Sequence, residues 1–164
     1  MNNDTESRVI HLSLRKPFFE NYLRFIFNSP EGRIKVTRCE ELGRQLYSRV
    51  RYTSMPSKPP KGSHVVQLIL PHHETDMSDK HFISYTEDDI VRINDFIESC
   101  AKLDFKSCVQ VGIDDLNINR KVIINLFSNL IFGDDKFEML KKEEYRRRKK
   151  FEDWIVKSAQ EYGY

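Results

Sequence analysis

The densest chemistry in this 164-residue chain is the run Lys-Lys-Glu-Glu-Tyr-Arg-Arg-Arg-Lys-Lys at 141–150, with Phe151 and Trp154 close behind. Lys136, Lys141, Lys142, Arg146, Arg147, Arg148, Lys149 and Lys150 set eight positive charges against Glu138, Glu143 and Glu144, or +5 locally. Cations grouped on a rigid element suit phosphate binding, because each contact releases condensed counterions. At about 100° per residue, Lys142, Arg146, Lys149 and Lys150 fall on one face of a helix. Phe137, Leu140, Phe151, Trp154 and Ile155 fall on the opposite face. The expectation is an apolar edge docked on the body and a basic stripe turned outward, with Lys136 and Lys141 extending it toward the helix start. A plain solvated helix is the competing expectation. Glu138–Lys142, Glu143–Arg147 and Glu144–Arg148 are i,i+4 pairs worth about 0.2–0.5 kcal/mol each.

A second basic region lies at 33–51, with six Arg or Lys against Glu40 and Glu41, or +4. Arg38 and Arg44 are its candidate phosphate contacts, with Arg49, Arg51, Lys58 and Lys61 nearby. Other chemistry is sparse. His72, His73, Glu74, Asp76, Asp79 and His81 are metal-capable types, but their spacing matches no recurring zinc arrangement, and a polar loop is expected. Cys39 falls in the first turn of an expected helix, a setting that can depress a thiol pKa, yet no histidine is placed near it. Cys100 and Cys108 read as core thiols. With no Gly-rich phosphate loop, no GxSxG and no distinctive carboxylate pair, the chain reads as a non-enzyme without metal or cofactor.

The overall balance sets outer bounds. A net charge of +2 says little about partners, and 39% hydrophobic with 32% charged residues suits a folded, water-soluble chain. No run approaches the roughly 18 apolar residues of a membrane span. The polar N-terminus does not read as a secretory signal. Three cysteines form neither an even disulfide set nor a CxxC pair, so reduced thiols in a cytoplasmic setting are expected.

The elements that position these groups follow from periodicity. Ile10, Leu12 and Leu14 alternate as a strand, and Pro17 opens an aromatic-rich helix. Ile34 and Val36 mark another strand. Thr37 with Glu40 reads as a capping box launching a helix whose buried face is Leu42, Leu46 and Val50. Residues 54–63 form a proline-rich loop, residues 64–70 a strand, and His81–Tyr85 a short strand. Thr86 caps a helix carrying Ile90, Ile93, Ile97 and Cys100 as far as Leu103. Asn119 caps a helix to residue 132 that is apolar nearly all round and so expected to be buried. Gly133 ends it. Asp135 with Glu138 then starts a last helix reaching about residue 160.

Together these read as an α+β chain. A small, mainly antiparallel sheet with helices occupies 1–85, and a helical half with a helix-turn-helix-like pair occupies 86–164, the two forming one integrated domain. In that pair, helix 119–132 supports and the basic helix contacts the duplex. The segments FEMLKKEEYRRRKKFE and VTRCEELGRQL resemble stretches of small uncharacterised proteins of bacterial mobile elements and phages. That resemblance covers a minor part of the chain and implies an association with DNA, without a specific activity. The expected function is DNA binding in a regulatory or accessory role. The alternative is a protein-interaction or assembly component, homo-oligomeric or with a protein partner, in which Tyr145, Phe151 and Trp154 form a docking ridge.

Overall fold

Alternating apolar residues build strands, and apolar residues three or four apart build helices, in the computed structural model, which describes residues 8–70, 81–132 and 137–161. Its strands are β1 (Val9–Ser13), β2 (Ile34–Lys35), β3 (Arg51–Thr53), β4 (Val65–Ile69) and β5 (Phe82–Ser84). Its α-helices are α1 (Phe19–Ile26), α2 (Glu41–Ser48), α3 (Glu87–Asp114), α4 (Arg120–Phe127) and α5 (Phe137–Glu161). β4 pairs antiparallel with β1 and parallel with β2, while β3 and β5 form a separate antiparallel pair. The fold is α+β. Two compact units, Met1–Leu103 and Asp104–Tyr164, divide within α3, whereas the sequence suggested a change of character at 85/86.

In the first unit the register aligns the buried alternation. Ile10 sits opposite Leu68 and Leu12 opposite Val66, while His11 meets Gln67 on the other face. Phe19, Tyr22 and Leu23 of α1, Leu42 and Leu46 of α2, and Ile93 and Ile97 of α3 complete this core. Buried Asn94 ties α3 to β1: its Nδ2 donates to the Ser13 carbonyl at 2.9 Å, and its Oδ1 accepts from the Arg15 amide at 2.7 Å. Thr86 does cap α3. Its Oγ1 accepts from the Asp89 amide at 3.1 Å, and Asp89 Oδ2 accepts in return from the Thr86 hydroxyl at 2.8 Å.

The capping box expected at Thr37 and Glu40 does not form. Extended Glu40 itself precedes α2 and makes no side-chain cap, because residues 37–40 turn tightly back on the helix. The Thr37 carbonyl lies so close to Gly43 that a Cβ there would overlap it. Cys39 is therefore exposed ahead of the helix rather than in its first turn. Pro17 also lies before its helix, its carbonyl accepting from the Glu20 amide at 3.1 Å.

In the second unit, α3 continues to Asp114 instead of stopping at Leu103, because Phe105 and Val109 carry its buried stripe onward. Phe105 packs on Phe127 of α4 with ring centroids 5.2 Å apart. Gly112 lets α3 approach Ile123, whose side chain fills the space a Cβ would take. Asn119 caps α4 as expected, its Oδ1 accepting from the Lys121 amide at 2.9 Å. Burial of this helix is one-sided: Ile123, Ile124 and Phe127 are buried, but Val122 and Leu126 are each 48% exposed, contrary to the all-round burial expected. A π-helical turn, Ser128–Phe132, follows α4. The expected turn at 133–135, its cap at Asp135, the loop at 71–80 and Lys136 lie outside the described residues. Among the described residues no helix is long and apolar enough to cross a membrane.

Candidate nucleic-acid interface

The 25-residue α5 forms because Leu, Met, Glu, Lys and Arg dominate its first half, all strong helix formers. Leu140 and Glu144 anchor it within the second unit, at 3% and 6% exposure. A carboxylate at that depth needs a partner, and Arg120 at the start of α4 supplies one, with Nε 3.4 Å from Glu144 Oε1. Glu144 is thus taken up by α4 rather than by Arg148, the i,i+4 partner expected from the sequence. Arg148 lies 3.8 Å from Glu152 instead, and Lys141 lies 3.8 Å from Glu138.

The outward stripe exists as drawn from the helix wheel. Lys142, Arg146, Lys149 and Lys150 are exposed within an arc of about 100°, and none has an ion-pair partner among the described residues. Uncommitted cations keep their counterions and remain available to phosphate. Lys141, one position round the helix, is exposed but already engaged. Arg38 and Arg44 belong to the first unit. The Arg38 guanidinium stacks 4.1 Å from the Tyr47 ring centroid, and Arg44 forms a 2.6 Å ion pair with Glu41.

The apolar edge of α5 departs from expectation. Phe137's side chain lies outside the described residues, and Leu140 is buried. Phe151, Trp154 and Ile155 are 53%, 63% and 55% exposed. Every residue from Arg148 to Lys157 is exposed, so along this stretch the aromatic edge of α5 is left uncovered among the described residues. The wheel gave the face correctly. It could not give the length over which that face is covered.

A groove of about 670 Å³ opens between the start of α4 and the first half of α5, and the sequence did not reveal it. Arg120 and Lys121 line one wall, and Lys141, Lys142, Tyr145 and Arg146 line the other, with Ile124 among its apolar surface. With Arg148, six cations face two carboxylates, Glu138 and Glu144. The available signal was the pair Arg120-Lys121 directly after the capping Asn119, which places two cations at a helix start. Only the crossing of α4 and α5 brings them to Lys142.

The remaining chemistry-bearing residues stay apart. Cys100 is half-buried and Cys108 exposed, so neither is the core thiol expected, and partial burial of the Cys108 sulfur raises its pKa. Among the described residues no three His, Cys, Asp or Glu side chains converge as a metal site. No protein-family model, curated protein or solved structure matches the chain.

Proposed function

We propose that this chain binds nucleic acid, with DNA as the first candidate, through the basic face of α5, and that it does so in an accessory or regulatory role rather than as an enzyme. The observation that carries this reading is the exposed stripe of Lys142, Arg146, Lys149 and Lys150, whose charges are not consumed by neighbours among the described residues. A helix held in place by Leu140 and by the Glu144–Arg120 pair presents these groups without first having to order itself. Lys141 adds to the positive field, and Arg38 and Arg44 are secondary candidates, since Arg44 would have to release Glu41. Three free thiols support a cytoplasmic setting, and the mobile-element or phage context rests on the resemblance of two short segments. Electrophoretic mobility shift on duplex DNA tests the reading. Wild type should retard the duplex at low salt, and Lys142→Glu/Arg146→Glu should not. Equal retardation by both proteins would refute it.

A second reading, a protein-interaction or assembly component, is favoured by the exposed Phe151, Trp154 and Ile155 on the uncovered part of α5. It predicts an oligomer by light scattering that survives high salt and dissociates on Trp154→Ala. A monomer at every concentration would rule out self-assembly through this edge.

A further inference from the structure

The stripe on α5 is not the whole of the cationic surface of the second unit. Lys142 and Arg146 belong to it and also line the groove against α4, so the two surfaces are continuous. Inside the groove, Glu144 is neutralised by Arg120 and Glu138 lies 3.8 Å from Lys141. Lys121, Lys142 and Arg146 are left without an ion pair among the described residues, and Lys121 stands at the positive end of the α4 dipole. Such an arrangement suits phosphate. It does not by itself distinguish a duplex from a single strand.

Tyr145 makes that distinction. It lies in the groove wall, 53% exposed, with the Arg148 guanidinium 5.7 Å from its ring centroid. On the wheel it lies about 60° from Lys142, on the side of Glu138 and Lys141, and borders the stripe about 40° from Lys149. An exposed ring flanked by cations is a stacking platform, and only a strand with unpaired bases offers a base face to it. A duplex shows its phosphates and base edges but keeps its base faces stacked inside. The groove volume, about 670 Å³, is that of a small-ligand site, and Ile124 supplies an apolar surface for the sugar or base.

We propose that the groove between α4 and α5 is a single-strand subsite, in which a base of single-stranded DNA or RNA stacks on Tyr145 while its flanking phosphates sit on Lys121, Lys142 and Arg146. This rests on the nucleic-acid reading of α5 and adds a preference to it: single strands fill both groove and stripe, duplexes the stripe alone.

The test is fluorescence anisotropy with the full chain on a 15-nucleotide oligo(dT), the matching oligo(U) and a 15-base-pair duplex. Tyr145→Ala should weaken binding of the single strands by roughly 5- to 150-fold, the range of one lost base stack, and change duplex binding by less than about 3-fold. Tyr145→Phe, which keeps the ring, should bind like wild type, and Lys121→Glu should weaken single strands selectively. The two single strands identify DNA or RNA as the source of the stacked base. If Tyr145→Ala leaves single-strand affinity unchanged, or lowers single-strand and duplex affinity equally, the subsite is refuted. The stripe reading survives in that case, provided Lys142→Glu/Arg146→Glu still abolishes binding. If no oligonucleotide binds at low salt, the nucleic-acid reading and the subsite fall together.

Discussion

Removing Arg120 tests how α5 is held. Glu144 sits at 6% exposure with its carboxylate 3.4 Å from Arg120 Nε, so Arg120→Met leaves a buried charge without its partner. Breaking a fully buried pair in this way costs about 3–5 kcal/mol. Arg120 is one-third exposed (33%), so water screens part of the interaction, and about 1–3 kcal/mol is the expected loss. For a unit of this size each kcal/mol shifts the midpoint by about 4–8 °C, so a fall of several degrees or more is expected. Thermal denaturation followed by helix circular dichroism measures the shift and urea denaturation the free energy, with amide exchange in α4 and α5 to localise the effect. The decisive arm is Glu144→Gln, which removes the charge and keeps the volume. In that background Arg120→Met should cost less than about 0.5 kcal/mol. A loss of the same size in both backgrounds would show that Arg120 acts by packing alone, and the reasoning would fail.

Three further outcomes concern the first unit. Asn94→Ala removes the partner of the part-buried Ser13 carbonyl and Arg15 amide, and stability should fall by about 1–3 kcal/mol in urea titration; a loss under about 0.5 kcal/mol counts against the clamp. Gly43→Ala places a methyl on the Thr37 carbonyl and should cost more than about 2 kcal/mol by the same assay, whereas a neutral outcome would mean that the 37–40 turn can move aside. Burial alone would raise the Glu20 pKa, but hydrogen bonds from Arg24 and His64 outweigh it and hold the carboxyl below its ordinary value. A depressed folded-state pKa contributes stability that is present above the unfolded value, 4.5, and is lost as pH falls through the folded one. Glu20→Gln should therefore flatten the acid limb of the stability–pH profile; a profile parallel to wild type would contradict this.

The sequence carried the fold wherever one period persisted. The alternation of Ile10, Leu12 and Leu14, the Thr86 and Asn119 caps and the end of α5 near residue 160 appear as read, and the strand expected at 64–70 forms over Val65–Ile69. The failures have physical causes. Three-residue β3, Arg51–Thr53, is too short and too exposed to show alternation, and it exists only because β5 pairs with it. The Thr37–Glu40 box had the right residues, but the chain stays extended at Glu40 with the Thr37 carbonyl turned back onto Gly43, and the helix starts at Glu41. In the candidate site the outward stripe was legible, because a helix wheel depends only on local geometry. The groove was not, because Lys121 and Lys142 are brought together by a helix crossing that no local period encodes. Nor was the exposure of Phe151 and Trp154, which depends on how much of α5 the rest of the unit covers.

The most direct test of nucleic-acid binding through α5 is the salt dependence of duplex DNA affinity. Four phosphate contacts from Lys142, Arg146, Lys149 and Lys150 predict a slope of log K against log salt of about −3.6, or roughly 150-fold weaker binding at 200 mM than at 50 mM salt. Lys142→Glu/Arg146→Glu removes two of the four contacts, and the slope should fall to about −1.8 or shallower with a large loss of affinity at low salt. A slope near zero for wild type, or an unchanged slope and affinity in the double variant, would contradict the account.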